Sequence, residues 1–205
     1  MDTNTATTFV PSIAVIVGST RPGRRARLVA DWVHENAEKH LLGRAKVEIV
    51  DLAEYDLPLL DEAVPAAIGT YANSHTLRWA ERIAAYDGFV FVTPEYNHSP
   101  PAALKNAIDF LFSEWSDKAA GFVSYGLNGG VRAVEQLRLT LAEVKIACVR
   151  SQVALSLFTD FDVQDIQQPG RLTPASHHDE ILERMLDEVV DWTVALGALH
   201  AGRRP

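Results

Sequence analysis

Ile13-Ala-Val-Ile-Val17, followed at once by Gly18-Ser-Thr-Arg-Pro-Gly-Arg-Arg-Ala-Arg27, is the stretch that decides the fold of this chain. A continuous, mostly β-branched apolar run reads as a strand buried on both faces. Leu28, Trp32, Val33, Ala37 and Leu41 then recur at helical spacing across residues 26–42. The unit is therefore strand, glycine-bearing turn, helix. It repeats outward from here. Val47 to Val50 with Asp51 reads as a second strand, and its interior Glu48 marks an edge position. Leu77, Ala80, Ile83 and Ala84 mark a helix, and Gly88-Phe-Val-Phe-Val92 is another continuous apolar strand. Ser99-Pro100-Pro101 reads as a helix start capped by Ser99, with Leu104, Ile108 and Leu111 as its buried stripe. A fourth strand covers Ala119 to Ser124, a helix carries Val134, Leu137, Leu141 and Val144, and a fifth strand lies near Ile146 to Val153. Leu182, Met185, Val189, Trp192, Leu196 and Leu199 define a long last helix, with Trp32 and Trp192 read as core. Five such units predict an α/β fold with a five-stranded parallel sheet covered on both faces. The segment Ser156 to Ala175, with Pro169, Gly170 and Pro174, reads as a surface loop or part of an interface.

Length and composition fit one domain over 1–205 with its core at about 12–200. A chain of 205 residues buries roughly 70% of its unfolded surface. Nineteen Lys and Arg against 27 Asp and Glu give a formal charge of −8, which argues against non-specific nucleic-acid binding and against anionic membranes. The single cysteine, Cys148, excludes an internal disulfide and fits a reducing compartment; inside an apolar strand it reads as a small hydrophobe. No apolar run reaches the length of a bilayer span, and Met1 to Thr8 lacks a secretory pattern. The expectation is a cytoplasmic protein with neither nucleic acid nor membrane as partner.

Open parallel sheets bind ligands beyond the carboxyl ends of their strands. Three segments there carry chemistry. Gly18 to Arg27 opens a helix with Arg21, Arg24, Arg25 and Arg27, cations that oppose the helix dipole and suit a phosphate. It is neither a Walker loop nor a Gly-x-Gly-x-x-Gly fingerprint. Thr93-Pro-Glu-Tyr-Asn-His-Ser-Pro-Pro101 is stiffened by prolines and offers Tyr96 as a flat wall, with His98 as a candidate acid or base. Ser124-Tyr-Gly-Leu-Asn-Gly-Gly-Val-Arg132 brings Tyr125 and three glycines suited to close approach or positive φ. Each segment alone also reads as an ordinary connection, but all three emerge from one edge of the sheet. His177-His178 lacks metal-ligand spacing and reads as surface, and no metal site is expected. Trp115 reads as reaching a partner subunit or the ligand face.

Gly18-Ser-Thr-Arg21, Pro94-Glu-Tyr-Asn97 with Lys105-Asn-Ala-Ile-Asp109, and Tyr125-Gly126 with Gly129-Gly130-x-Arg132 together resemble the NADPH-dependent FMN reductase family of flavodoxin-like proteins. The resemblance covers about Ile13 to Val153. It implies a three-layer sandwich with strand order 2-1-3-4-5, a non-covalent FMN, and NADPH or NADH as co-substrate. By position, Ser19 and Arg21 would hold the phosphate, joined by Arg24, which stands where many relatives have serine. Pro94, Glu95, Tyr96 and Asn97 would wrap the isoalloxazine, and Ser124, Tyr125 and Gly126 would line its other side. The implied chemistry is hydride transfer from NAD(P)H to FMN, then to a flavin, quinone or similar small acceptor in a ping-pong cycle. No side chain is expected to act as a catalytic acid or base, and Arg132 is a candidate contact for the pyridine nucleotide. The alternative is a flavodoxin-type electron carrier that binds FMN without oxidising NAD(P)H. Homodimers or homotetramers, with the third helix at the interface, are what the family leads one to expect.

Overall fold

The computed structural model describes residues 9–200. Strand β1 (Ser12–Val17) is followed by α1 (Ala26–His40) and β2 (Lys46–Asp51). After two short 3-10 turns come α2 (Ser74–Ala84), β3 (Gly88–Pro94) and α3 (Ala102–Asp109). The chain continues through β4 (Ala119–Gly126), α4 (Val131–Glu143) and β5 (Ala147–Ser156). A small hairpin of β6 (Phe161–Asp162) and β7 (Arg171–Leu172) then leads into α5 (Ser176–His200). The five long strands form one parallel sheet in the order β2-β1-β3-β4-β5, which is the flavodoxin-like order. β2 is at the edge, as its exposed Glu48 foretells.

Because side chains alternate along a strand, each strand feeds two cores. Ile13, Val15 and Val17 pack with Val29 and Val33 of α1 and with Met185 and Val189 of α5. Ala14 and Ile16 point the other way, toward Trp79, Leu104, Ile108 and Leu137 of α2, α3 and α4. Burial on both sides explains why these strands read as unbroken apolar runs.

Several side chains sit differently from the sequence reading. Trp115 is fully buried among Phe89, Phe91 and Trp79, with its indole N–H donating to the Ile108 carbonyl at 3.1 Å; it reaches neither a partner nor the ligand face. Trp192 is 46% exposed, because the buried stripe of α5 runs through Val189, Val190 and Thr193 and leaves Trp192 beside it. In α2 the buried stripe is Thr76, Trp79, Ala80 and Ile83, and Leu77 points outward. Ser99 does not cap α3; Pro101 occupies that position, and Ser99 closes a turn instead. Cys148 packs against the core, and burial pushes its thiol up to about 11, the behaviour of a small hydrophobe. Among the described residues no helix is long and apolar enough to cross a membrane.

Candidate functional site

The turn after β1 starts under tight constraint. A Cβ on Gly18 would stand 2.8 Å from Leu104 Cδ2 and 2.9 Å from the Val92 carbonyl, so only glycine lets the chain cross β3 here. Ser19 is buried, and its hydroxyl meets the Tyr96 hydroxyl at 2.8 Å, joining the first and third connections. α1 then begins at Arg25 without a side-chain cap and without an acid in its first turn. Its exposed N–H groups and dipole are left facing three arginines.

Those arginines are not equivalent. Arg24 Nη2 pairs with Asp51 Oδ2 at 2.6 Å, and the Asp51 carboxylate is nearly buried and also caps the turn at Ala53. Parallel pairing sets this contact, since the register places Asp51 beside Val17. Arg25 Nη2 reaches across to the Gln168 carbonyl at 3.2 Å, and Arg21 has no ion-pair partner among the described residues. The Nε atoms of Arg24 and Arg25 are buried and lack hydrogen-bond partners.

The segment after β3 supports itself. Tyr96 and Ser99 exchange two backbone hydrogen bonds, of 2.9 and 3.1 Å, around Asn97 (φ 49°) and His98 (φ 74°). Two positive φ values in a row form the tight primed type of turn, an uncommon conformation for histidine. Gln136 of α4 clamps it, donating to the His98 carbonyl and accepting from the Ser99 hydroxyl, each at 2.7 Å. Glu95 adds a second tie. Its carboxylate forms an ion pair with Arg132 and accepts from the Arg132 backbone N–H at 3.2 Å, so it serves as a cap borrowed from another loop for α4, which begins at Gly130 without one of its own. Burial pushes the Glu95 carboxyl up, but the Arg132 hydrogen bond and charge, with the N–H groups of Arg132 and Ala133, outweigh it and leave it below the ordinary glutamate range.

After β4, Gly129 and Gly130 take φ of 70° and 71°, and a Cβ on Gly130 would press on the Tyr125 backbone at 2.9 Å. The buried Ser124 hydroxyl donates to the Gly129 carbonyl at 2.6 Å. Ser124 therefore shapes the turn from beneath, its hydroxyl committed to the Gly129 carbonyl. Tyr125 is buried against Phe161, at 5.7 Å between ring centroids, and burial raises its phenol.

Two adjoining cavities result. One of about 160 Å³ is lined by Arg21, Arg24, Arg25, Tyr96, Tyr125 and Gly126 among others. The second, about 580 Å³, is lined by Arg21, Glu95, Tyr96, Asn97, His98 and Arg132, with Leu127. Arg21, Glu95 and Tyr96 belong to both. The structure thus brings Arg21, Arg24, Pro94, Glu95, Tyr96, Tyr125 and Gly126 to one cavity and places Asn97 in its neighbour. Arg25, read from sequence among the cations suited to a phosphate, also lines the smaller cavity, as do Gly23 and Leu157, which were not singled out; Leu157 comes from the segment read as a surface loop or interface. His178, read as surface, is 7% exposed and stands 3.2 Å from the buried Asp160.

Comparison with known proteins agrees with this geometry. The family model described as NADPH-dependent FMN reductase matches residues 11–160. The chain is 40% identical over 164 residues to an NAD(P)H-dependent FMN reductase of Schizosaccharomyces pombe, covering 79% of this chain and 81% of that one. It is 37% identical over 195 residues to a quinone reductase of Pseudomonas putida, covering 89% and 95%. Among solved structures, the FerB flavoenzyme NAD(P)H:(acceptor) oxidoreductase of Paracoccus denitrificans superposes with a TM-score of 0.69 at 24% identity, covering 91% of this chain and 98% of that one; this likeness shows the fold. A matching family model over most of the chain, relatives named as reductases and a cationic, aromatic-walled cavity at the expected sheet edge lead to one conclusion: the chain belongs to the NADPH-dependent FMN reductase family.

Proposed function

We propose that this chain is a flavoenzyme that oxidises NAD(P)H through a non-covalent FMN at the carboxyl edge of its sheet. One observation carries the reading: the buried, unpartnered Nε atoms of Arg24 and Arg25 beside an uncapped helix N-terminus. Nothing among the described residues explains leaving such donors unmet, since an unsatisfied buried polar group costs about 1–3 kcal/mol. A phosphate dianion would satisfy them. The walls of Tyr96, Tyr125 and Gly126 in turn fit a flat ring, so the residues present suit FMN.

When bound, FMN accepts hydride from a reduced nicotinamide and hands two electrons to a small acceptor. The protein binds and orients. Arg21 and Arg25, with N–H groups at the start of α1, would hold the phosphate, and Ser19 would support them through Tyr96. Arg24 would contribute its Nε while its Nη2 stays on Asp51. Pro94, Glu95, Tyr96 and Asn97 would meet the ring mainly through main-chain atoms, because the Glu95 carboxylate is already committed to α4 and Arg132. Tyr125 and Gly126 would close the other side. With Arg132 paired to Glu95, its part in nucleotide binding would be as half of a dipolar pair.

The quinone reductase relative supports a quinone among the acceptors, and the reductase names favour an enzyme over an electron carrier. The acidic charge and single cysteine support a cytoplasmic setting, and the chain reads as a single domain. Leu59 and Ile68, 82% and 67% exposed between β2 and α2, support a homodimer or homotetramer, which sedimentation would reveal. The site itself is tested by titrating FMN and riboflavin into the protein and following flavin fluorescence. FMN should bind at least about tenfold more tightly, since riboflavin lacks the phosphate. Equal affinity, or no binding of FMN, would overturn the reading.

A further inference from the structure

The nineteen residues 157–175 between β5 and α5 are more than a chain reversal needs. Connections longer than about 12–15 residues are uncommon in compact domains and are usually functional. This excursion returns to the ligand edge at three points, two on the end of β4 and one on the arginine turn. The Leu157 N–H donates to the Gly126 carbonyl at 3.0 Å, and the Leu157 side chain lines the smaller cavity. Phe161 packs on Tyr125. At the tip, the Gln168 carbonyl accepts from Arg25 Nη2 at 3.2 Å, and the Gln167 carbonyl lies so close that a Cβ on Gly23 (φ 69°) would stand 2.7 Å from it.

A buried acid fastens the base of the excursion. Asp160, 3% exposed, accepts from the Ser156 N–H at 2.8 Å, the Thr159 hydroxyl at 3.2 Å and the Ala175 N–H at 3.4 Å. Its own carbonyl accepts from Thr173 at 2.8 Å. One residue thus joins both ends of the excursion. The remaining approach to Asp160 Oδ1 is His178 Nε2 at 3.2 Å, from the first turn of α5. Facing a carboxylate oxygen, that nitrogen must carry a proton to be favourable. His178 Nδ1 is buried without a partner, so the ring is held by this contact and by a tilted contact with His177, 4.0 Å between centroids.

We propose that Asp160, braced by His178, is the positioning residue of the phosphate site. It holds the excursion as a second wall against the arginine turn, and the tip carbonyl at Gln168 aims the Arg25 guanidinium. This rests on the FMN reading above and adds to it a residue that touches no ligand. A carbonyl bound to Nη2 fixes the plane of Arg25 and leaves its Nε free, which is the atom found without a partner.

The test compares FMN with riboflavin in folded variants, using fluorescence titration. His178→Leu should weaken FMN by about tenfold and leave riboflavin within about twofold, because only the phosphate senses Arg25. His178→Gln, which retains an N–H for Asp160, should recover most of the loss. In an Arg25→Ala background, His178→Leu should have no further effect on FMN. If His178→Leu does not fold, Asp160→Asn, which keeps one acceptor oxygen and touches no residue lining the cavity, should give the same FMN-selective loss. Equal weakening of FMN and riboflavin, failure of the Gln variant to rescue, or full additivity with Arg25→Ala would overturn the proposal while leaving the FMN site standing. A wild-type protein that binds neither flavin would overturn both.

Discussion

At the amino end of the sheet, every lead-in to a strand is tied to its neighbour; at the carboxyl end, charge is left waiting. Ser12 N–H donates to Asp87 Oδ2 and Asp87 N–H to the Ser12 carbonyl, each at 2.8 Å, while Lys46 and Ala147 close similar bonds to Pro11 and Lys118. Even the buried Lys118 ammonium is satisfied, donating at 3.1 Å to the Ile83 carbonyl at the end of α2. Across the sheet, the buried Nε atoms of Arg24, Arg25 and Arg132 have no partner and Arg21 has no ion pair among the described residues, whereas at the amino end the unpartnered buried atoms are Arg82 Nε, on a guanidinium already paired with Glu48, and the Thr193 hydroxyl. The same strands run through both ends, so the difference lies in the connections. One end is built to hold the fold together, the other to be completed by a ligand.

The strongest way to break this contrast is to remove the waiting charge. Arg21→Ala with Arg25→Ala should lower FMN affinity by at least about 100-fold, measured by fluorescence titration, yet change unfolding free energy by less than about 0.5 kcal/mol. A large stability loss would mean these cations serve the fold after all. Glu95 sharpens the contrast, because it is the structural tie within the functional end. Glu95→Gln should cost about 2 kcal/mol in denaturant unfolding by weakening the borrowed cap and the Arg132 pair. Since the folded carboxyl titrates below its unfolded range, its contribution is present above that range and fades as pH falls through the folded value. The Gln variant should therefore lose stability less steeply in acid.

Lys118 tests the other end. Burial lowers its ammonium to about 8 from 10.5, against the smaller opposing pull of Asp87 and Glu114. Between those values the unfolded chain binds more protons, so stability should rise with pH across that window. Lys118→Met should abolish that rise, worth about 1–3 kcal/mol, and leave FMN affinity unchanged. The smallest effect is expected from Tyr96→Phe. It deletes the 2.8 Å bond to Ser19 and should cost about 1 kcal/mol or less, with FMN affinity within about threefold.

What was legible in the sequence follows from which interactions are local. Ile13 to Val17, Gly88 to Val92 and Ala119 to Ser124 announce themselves because double-sided burial demands unbroken apolar runs. The three loops were found because their prolines, glycines and arginines carry conformation or charge whatever the tertiary context. Pairings made across the sheet were not legible. The sequence marks Arg24 through the resemblance and Arg25 through its charge, but that Asp51 lies beside the first turn and pairs with Arg24 shows only once the strand register is known. His178 and Asp160, eighteen residues apart, likewise meet only after β5 and α5 have packed. Trp115 and Trp192 exchange their expected places for a related reason: periodicity locates a stripe but not which neighbouring residue meets the sheet, here Thr193 rather than Trp192.

The central claim is that this edge of the sheet lets a reduced nicotinamide deliver hydride to a bound flavin. The most direct test is the absorption spectrum of the FMN-loaded protein before and after NADPH is added without oxygen. The account predicts rapid bleaching of the flavin bands and their return when a quinone is supplied. A flavin spectrum that stays oxidised with both NADPH and NADH would contradict it and restore the electron carrier.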